Sequence, residues 1–164
     1  MSLVSARMPP PAVHPSAADP LSERALSIKR AARQGRVDRV LRGKNFGLIS
    51  EVQASREAEL FHRAATGLGA KVARILPSIA GLLDPAEAET TARWLGRLYD
   101  AVEVQGLPAE RIVQIRGSAS IPVLESLHSL DEAPAALAAV RDAETTDEDC
   151  RLFVLQAFLV GSFA

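Results

Sequence analysis

This chain of 164 residues has too little of several features that other classes of protein require. Its single cysteine, Cys150, excludes an intrachain disulfide, and nothing else indicates an oxidising compartment. Its longest apolar run lies at the C-terminus, is interrupted by Gln156 and Ser162, and falls short of the ~20 residues that a membrane span needs. The N-terminus also lacks the continuous apolar stretch of a signal peptide. We therefore expect a single cytoplasmic domain with no membrane partner.

Catalytic and metal-binding motifs are scarce as well. No glycine-rich phosphate loop of either standard type occurs. The three histidines, His14, His62 and His128, are scattered and are not at metal-ligand spacing with Cys150. We interpret His62 as a surface or hydrogen-bonded residue of a helix, and Cys150 as a buried thiol at the start of an apolar helix. The residues themselves thus predict no metal site, no cofactor and no catalytic group.

The net charge of −1 is distributed unevenly along the chain. Residues 1–44 carry nine Lys or Arg and three acidic residues, a net charge of +6, whereas the remaining residues carry ten and seventeen, a net charge of −7. The basic segment is either a solvated first helix with a basic loop or a nucleic-acid-binding arm. No aromatic residues are interleaved with these charges, so we expect no nucleic-acid partner. The salt dependence of retention on heparin tests this expectation.

The order of helical and extended patterns is typical of an α/β fold. Residues 1–21 contain five prolines among small residues and are predicted to be a disordered lead-in. A first helix follows from Leu21, with Ser22 as its N-cap. The patterns then predict strands at residues 45–50, 71–76, 101–104 and 121–124, and helices at residues 55–67, 85–99, 109–116, 131–142 and 147–163. Because right-handed βαβ crossovers place helices on both faces of a parallel sheet, we expect one doubly wound domain with roughly four parallel strands.

The turn between the first predicted strand and the next helix is where the residues favour a ligand. In an open parallel sheet, ligands bind beyond the carboxyl ends of the strands, and a helix N-terminus there attracts anions. Ser55 and Arg56 lie at this turn and are suited to hold a phosphate, whereas Glu57 would repel it. The pattern predicts a weak anion site, with the alternative that Arg56 pairs with Glu57 or Glu51.

The same turn belongs to a motif shared with a known family. Residues 48–61 read LISEVQASREAELF, and AA and LGA follow at residues 64–65 and 68–70. This stretch resembles the signature of the aspartate/ornithine carbamoyltransferases, F-E-x-x-S-T-R-T-R-x-S-F-E followed by A-A and L-G-A. The motif places the predicted anion site at the family's phosphate-binding turn.

Further motifs follow with the family's spacing. Residues 91–100, TARWLGRLYD, resemble the family's D-T-A-R-V-L-G-R-M-Y-D. Residues 121–123 resemble its V-P-V strand, and residues 136–138 resemble its Q-A-L-A helix. The resemblance covers roughly residues 22–140.

The resemblance implies a parallel α/β domain that, in the family, binds carbamoyl phosphate. There the S-T-R-T-R turn holds the phosphate, and an arginine after the third strand and an H-P-x-Q motif polarise the carbamoyl group. At the positions of the S-T-R-T-R turn, this chain has Ala54, Ser55, Arg56, Glu57 and Ala58. Gln105 stands at the position of the later arginine. Glu132 and Ala135 stand at the positions of the histidine and the glutamine of H-P-x-Q. Two cationic groups are lost and two carboxylates are gained, so the implied remnant site opposes a dianion.

The family's second domain, which binds the amino acid, has no counterpart in this chain. Residues 146–160, TDEDCRLFVLQAFLV, resemble the family's last helix, which returns to pack on the first domain. This helix follows the preceding one almost directly. We therefore expect a carbamoyl-phosphate-domain-like unit at residues 22–142 and a C-terminal helix at residues 146–164 packed on it, with the amino-acid domain missing between them.

The resemblance implies a non-catalytic, carbamoyltransferase-like protein that serves as an oligomeric structural or regulatory domain. The family's first domain builds a trimer, so we expect a homotrimer, with a full-length carbamoyltransferase or another metabolic enzyme as a further partner. The alternative is a small-anion site for carbamoyl phosphate or phosphate at Ser55 and Arg56, with residual transferase-type activity or sensing. In another form of that alternative, Glu57 and Glu132 select a cationic or uncharged ligand. Titration with each class of ligand distinguishes these functions.

Overall fold

A four-stranded parallel sheet forms the centre of the molecule. The computed structural model describes residues 19–52, 54–78, 81 and 84–164. Its strands are β1 (Asn45–Ser50), β2 (Lys71–Ile75), β3 (Ala101–Gln105) and β4 (Val123–Leu124). They lie in the order β2-β1-β3-β4, and every neighbouring pair is parallel. The predicted α/β fold with a four-stranded parallel sheet is confirmed.

Seven helices among the described residues cover both faces of this sheet. They are α1 (Pro20–Arg33), α2 (Arg56–Gly67), α3 (Pro85–Leu98), α4 (Ala109–Ser118), α5 (Ser126–Asp131), α6 (Pro134–Val140) and α7 (Asp147–Phe163). Helices α3 and α4 pack together on one face, and the other five helices form the layer on the opposite face. None of the described helices is long and apolar enough to cross a membrane.

The alternation of side chains along β1 divides the core into two clusters. Phe46 and Leu48 point into the larger cluster, and Ile49 points into the smaller one beneath α3 and α4. Gly47 lets the side chains of the neighbouring strands pack closely on β1, because a Cβ atom at this position would lie 3.0 Å from the Ile75 side chain and 3.1 Å from the Val102 side chain. Full burial of each large side chain contributes about 1.5–3 kcal/mol, so both faces of the sheet stabilise the fold.

The C-terminal helix α7 is an integral part of the five-helix layer. Its N-cap is Thr146, whose hydroxyl accepts a hydrogen bond from the Asp149 backbone N–H at 3.1 Å. Val154 and Leu155 are buried against α1 and α2. Gln156 is also buried and donates to the Ala64 carbonyl at 3.4 Å. Residues 141–146 are the whole connection between α6 and α7.

Several predicted boundaries are wrong, each for a local reason. Helix α1 begins at Pro20 because proline suits the first turn, and Ser22 is not its N-cap but a buried residue whose hydroxyl donates to Asp19. The last strand is shorter than predicted and comprises Val123–Leu124. Pro134 likewise starts α6 later than predicted, and the short helix α5 precedes it. Most of the predicted lead-in, residues 1–18, lies outside the described residues.

Candidate functional site

A cleft lies at the carboxyl ends of β1 and β3, where an open parallel sheet places its ligands. Its volume is about 500 Å³. The described residues that line it are Ser50, Glu51, Val52, Ser55, Glu57, Val104, Gln105, Gly106, Leu107, Ile112, Glu125, Leu127 and His128. Gly106 adopts a φ of 72°, which glycine tolerates readily, and this lets the chain turn sharply from β3 into the wall of the cleft.

Gln105 forms a polar part of the cleft lining at the end of β3. Its side chain is buried, with 8% of its surface exposed. The amide nitrogen donates long hydrogen bonds to the Glu57 carbonyl at 3.5 Å and to the Glu103 carboxylate at 3.4 Å. The amide oxygen, Oε1, is buried and has no hydrogen-bond partner among the described residues. A residue in the wall of the cleft therefore has an acceptor that the folded chain leaves unsatisfied.

Glu103 lies beneath the cleft as a fully buried carboxyl group on the central strand β3. One of its oxygens accepts hydrogen bonds from the Ser126 backbone N–H at 3.1 Å and from the Ser126 hydroxyl at 2.7 Å. Burial raises the pKa of Glu103 from its ordinary value of 4.5 to about 7, against the opposing effect of the Ser126 and Gln105 hydrogen bonds. Glu103 is thus a mixture of protonated and ionised forms near neutral pH.

The charged groups along the cleft are mainly carboxylates. Glu51 and Glu57 are exposed, and neither forms an ion pair with any residue that the structure describes. Glu125 pairs with Arg116 at 2.5 Å, and Arg116 itself does not line the cleft. Within the described part of the chain, no lysine or arginine lines the cleft, and His128 is its one imidazole. The cleft consequently favours cations over anions.

Ser55 fixes the start of α2 instead of presenting a free hydroxyl. It is the N-cap of that helix, and its Oγ accepts a hydrogen bond from the Ala58 backbone N–H at 3.0 Å. The Glu57 carboxylate lies in the first turn and offsets the positive end of the helix dipole. The two features that would attract an anion to this turn are therefore already satisfied within the chain.

Two of the predicted site residues lie outside the cleft. Arg56 is 88% exposed and faces α7, where its guanidinium lies 3.6 Å from the Glu148 carboxylate. The predicted pairing of Arg56 with Glu51 or Glu57 is therefore wrong. Glu132 ends α5 and lies 3.3 Å from the His128 imidazole at an exposed position. Of the five predicted site residues, the structure brings together Ser55, Glu57 and Gln105.

Comparisons with known proteins agree with the fold around this cleft. The catabolic ornithine carbamoyltransferase of Pseudomonas putida is 35% identical over 100 residues, and an ornithine carbamoyltransferase of Haemophilus influenzae is 34% identical over 100 residues. Each match covers 61% of this chain and 30% of the relative. The matched part of this chain is related to the ornithine/aspartate carbamoyltransferases. No protein-family model matches the chain.

Solved carbamoyltransferase structures share the fold of this chain. Ornithine carbamoyltransferase from Pyrococcus furiosus has a TM-score of 0.58 at 24% identity, covering 63% of this chain and 33% of its own. Aspartate transcarbamoylase from Trypanosoma cruzi, in complex with carbamoyl aspartate and phosphate, has a TM-score of 0.59 at 20% identity. The match covers 68% of this chain and 39% of the Trypanosoma chain. At these identities the likeness concerns the fold alone. The chain spans about 30% of the length of the curated relatives that it matches.

One buried polar residue beneath the cleft is not singled out by the sequence patterns. Glu103 belongs to a strand that was predicted from its apolar neighbours, and its side chain points to the same face of the sheet as that of Gln105. The available signal was a lone carboxylate within a buried strand, Ala101–Gln105. In the described residues, no group of three or more His, Cys, Asp or Glu is placed to hold a metal ion.

Proposed function

We propose that this chain is a carbamoyltransferase-like domain that does not bind carbamoyl phosphate and that serves as an oligomeric structural or regulatory subunit in the cytoplasm. The observation that carries the proposal is the charge of the strand-end cleft. Glu51, Glu57 and Glu125 line it, and no cationic lysine or arginine side chain does so among the described residues. A site for a phosphate dianion requires the opposite distribution of charge.

The size of the repulsion supports this proposal. Two unit charges about 4 Å apart interact by about 1 kcal/mol in water and about 4 kcal/mol at the dielectric of a protein surface. Glu57 stands where the family pattern has a threonine, and Gln105 stands where it has an arginine. The one arginine kept from the family's turn, Arg56, lies against Glu148 on α7. Carbamoyl phosphate would therefore meet repulsion without compensation.

The proposed domain organisation also argues against carbamoyl transfer. We assign residues 22–142 to the carbamoyl-phosphate-domain-like unit and residues 146–164 to the returning helix. The connection between α6 and α7 is only residues 141–146, which leaves no room for an amino-acid-binding domain at that point of the chain. Helix α7 packs directly on α1 and α2.

Isothermal titration with carbamoyl phosphate and with phosphate tests the proposal. We expect no saturable binding by the natural sequence. A triple variant, Glu57→Thr with Ala58→Arg and Gln105→Arg, restores three positions of the family pattern, two of them cationic, and is expected to gain affinity for phosphate. Binding of carbamoyl phosphate by the natural sequence, weakened by Arg56→Ala, would instead support a small-anion site and overturn the proposal.

The oligomeric part of the proposal has its own test. The family resemblance implies a homotrimer, so light scattering should give a mass of about three protomers of 17.5 kDa each. A mass of one protomer at high concentration contradicts this part. A regulatory role further predicts that the chain forms a mixed assembly when it is co-expressed with a full-length carbamoyltransferase.

A further inference from the structure

We propose that the strand-end cleft binds a small molecule that carries a guanidinium group. The inference rests on the proposed function, because it uses the same acidic cleft that would exclude carbamoyl phosphate. Three independent properties of the cleft lead to it: an unsatisfied acceptor, exposed carboxylates and apolar walls.

The unsatisfied acceptor is the side-chain oxygen of Gln105. This residue is more than nine-tenths buried, and its Oε1 lacks a hydrogen-bond partner among the described residues. Rotating the amide would turn its oxygen toward the Glu57 carbonyl, which is an acceptor, and toward Glu103, which is a second acceptor whenever it is ionised. A buried acceptor of this kind is costly unless a donor reaches it. A ligand with N–H groups supplies that donor.

The exposed carboxylates favour a donor that carries positive charge. The Glu57 backbone carbonyl is within 3.5 Å of the Gln105 amide nitrogen, so the two residues adjoin each other at the cleft. Glu57 and Glu51 form no ion pair with other described residues. A guanidinium is planar and has five N–H donors in a fixed arrangement, so one group can donate both to a carboxylate and to an adjacent amide oxygen.

The apolar walls favour guanidinium over ammonium. Val52, Leu107, Ile112 and Leu127 line the same cleft as the carboxylates. A guanidinium is weakly hydrated and packs its flat faces on apolar groups, whereas an ammonium keeps a strong hydration shell. The volume of about 500 Å³ lies within the range of small-molecule sites.

A pair of almost isosteric probes tests the charge preference. Methylguanidinium and methylurea differ mainly in charge, and both are titrated at low millimolar concentration while amide resonances are followed by NMR. We expect methylguanidinium to bind at least about fivefold more tightly than methylurea, with the preference falling as salt is added. We also expect the side-chain amide resonance of Gln105, assigned by its loss in Gln105→Met, to shift on binding.

A matched pair of variants tests the location. Glu57→Gln removes a carboxylate of the cleft and should weaken methylguanidinium binding about fivefold. Glu59→Gln is the control, because Glu59 is in the same helical turn but pairs with Arg74 at 2.7 Å and does not line the cleft. Gln105→Met should also weaken binding, with circular dichroism confirming that each variant is folded.

The failures of the two proposals are distinguishable. Equal binding of methylurea and methylguanidinium, absence of binding, or equal effects of Glu57→Gln and Glu59→Gln would overturn the guanidinium site. None of these results would affect the proposed loss of carbamoyl phosphate binding. Saturable binding of phosphate or carbamoyl phosphate in the same cleft would overturn that proposal and the guanidinium site with it.

Discussion

At the scale of single residues, the buried polar groups of β3 have the largest consequence. Glu103 and Gln105 are two positions apart, so both side chains point to the same face of the sheet. A carboxyl group in this position is costly when ionised, and Ser126 compensates for only part of that cost through its two hydrogen bonds. The protonation of Glu103 therefore links the stability of the central strand to pH.

The first prediction concerns this link. Because the pKa of Glu103 is about 7 in the folded chain and near 4.5 in the unfolded chain, the folded chain binds more protons between these pH values. The free energy of unfolding should therefore fall as pH rises from about 5 to 8, by at most about 3 kcal/mol from this group. Urea denaturation at pH 5 and pH 8 measures the difference.

The variant Glu103→Gln is the control for this prediction. It cannot ionise, and it keeps an oxygen for the Ser126 donors, so its stability should change less between pH 5 and pH 8. The hydrogen bond from Lys29 is the chief cause of the lowered pKa of Asp142, and this group affects stability in a different pH range. The stabilisation from Asp142 is fully present above the ordinary pKa of an aspartate and is lost only in stronger acid, so it does not change between pH 5 and pH 8. Equal pH dependence in both proteins would show that Glu103 is not responsible.

At the scale of helices, charged contacts join elements that are distant in sequence. Lys29 of α1 is buried, and its ammonium donates to the Val140 carbonyl at the end of α6 at 2.5 Å and to Asp142 at 2.6 Å. Arg63 of α2 pairs with Glu148 in the first turn of α7. These contacts hold the C-terminal helix and its connection against the first two helices.

The second prediction is that Lys29→Met destabilises the fold. The substitution keeps the apolar stem of the side chain but leaves the Val140 carbonyl without its donor, which should cost about 1–3 kcal/mol. Arg33→Met is the comparison, because Arg33 also pairs with Asp142 but is about half exposed, so its loss should matter less. Urea denaturation of the two variants measures which substitution lowers the free energy of unfolding more. A smaller effect for Lys29 than for Arg33 would contradict the importance of the buried contact.

The third prediction concerns the start of α7. Thr146→Ala removes the side-chain oxygen that accepts from the Asp149 N–H and should lower the free energy of unfolding by about 1 kcal/mol. Thr146→Ser keeps the acceptor and should have a clearly smaller effect. Chemical denaturation of the alanine and serine variants makes the comparison, and equal destabilisation would show that the hydroxyl does not act as a cap.

Most elements could be predicted because their ends are marked locally. Gly67 ends α2 and Gly69 follows it, and Pro85 and Pro108 stand at the starts of α3 and α4, so the predicted boundaries lie within one or two residues. Helix α5 has six residues, too few for a helical period to be recognised, and it was therefore missed.

The candidate site was predictable only in part. The rule for strand ends found Ser55 and Glu57 in the turn after β1, and the family resemblance found Gln105 at the end of β3. The orientation of Arg56 depends on Glu148, a partner on the last helix that no local pattern reveals. Glu103 was missed because an apolar strand pattern does not show which way one charged side chain points.

At the scale of the whole molecule, β1 and β3 connect two separate apolar clusters. Phe46 of β1 and Ala101 of β3 belong to the larger cluster, whereas Ile49 and Val102 of the same strands belong to the smaller one. Because both clusters pack on these two strands, loss of either cluster would uncover one face of the strands on which the other cluster depends. We therefore expect one cooperative unit.

The fourth prediction follows from this shared sheet. Trp94, the single tryptophan, lies on α3 with 56% of its surface exposed and reports on the layer above the smaller cluster. Its fluorescence should change at the same urea concentration as far-ultraviolet circular dichroism, which reports on all helices. An earlier fluorescence transition would show that α3 and α4 unfold before the rest of the molecule.

The strand order has a consequence for how copies of the chain can associate. The central strands β1 and β3 are paired on both sides, which leaves β2 and β4 as the sheet margins. β4 has two residues, and β2 carries the cationic residues Lys71 and Arg74, which disfavour edge-to-edge strand addition. Among the described elements, the helix surfaces are therefore better suited to association than the margins of the sheet, and growth of the sheet into fibres is disfavoured.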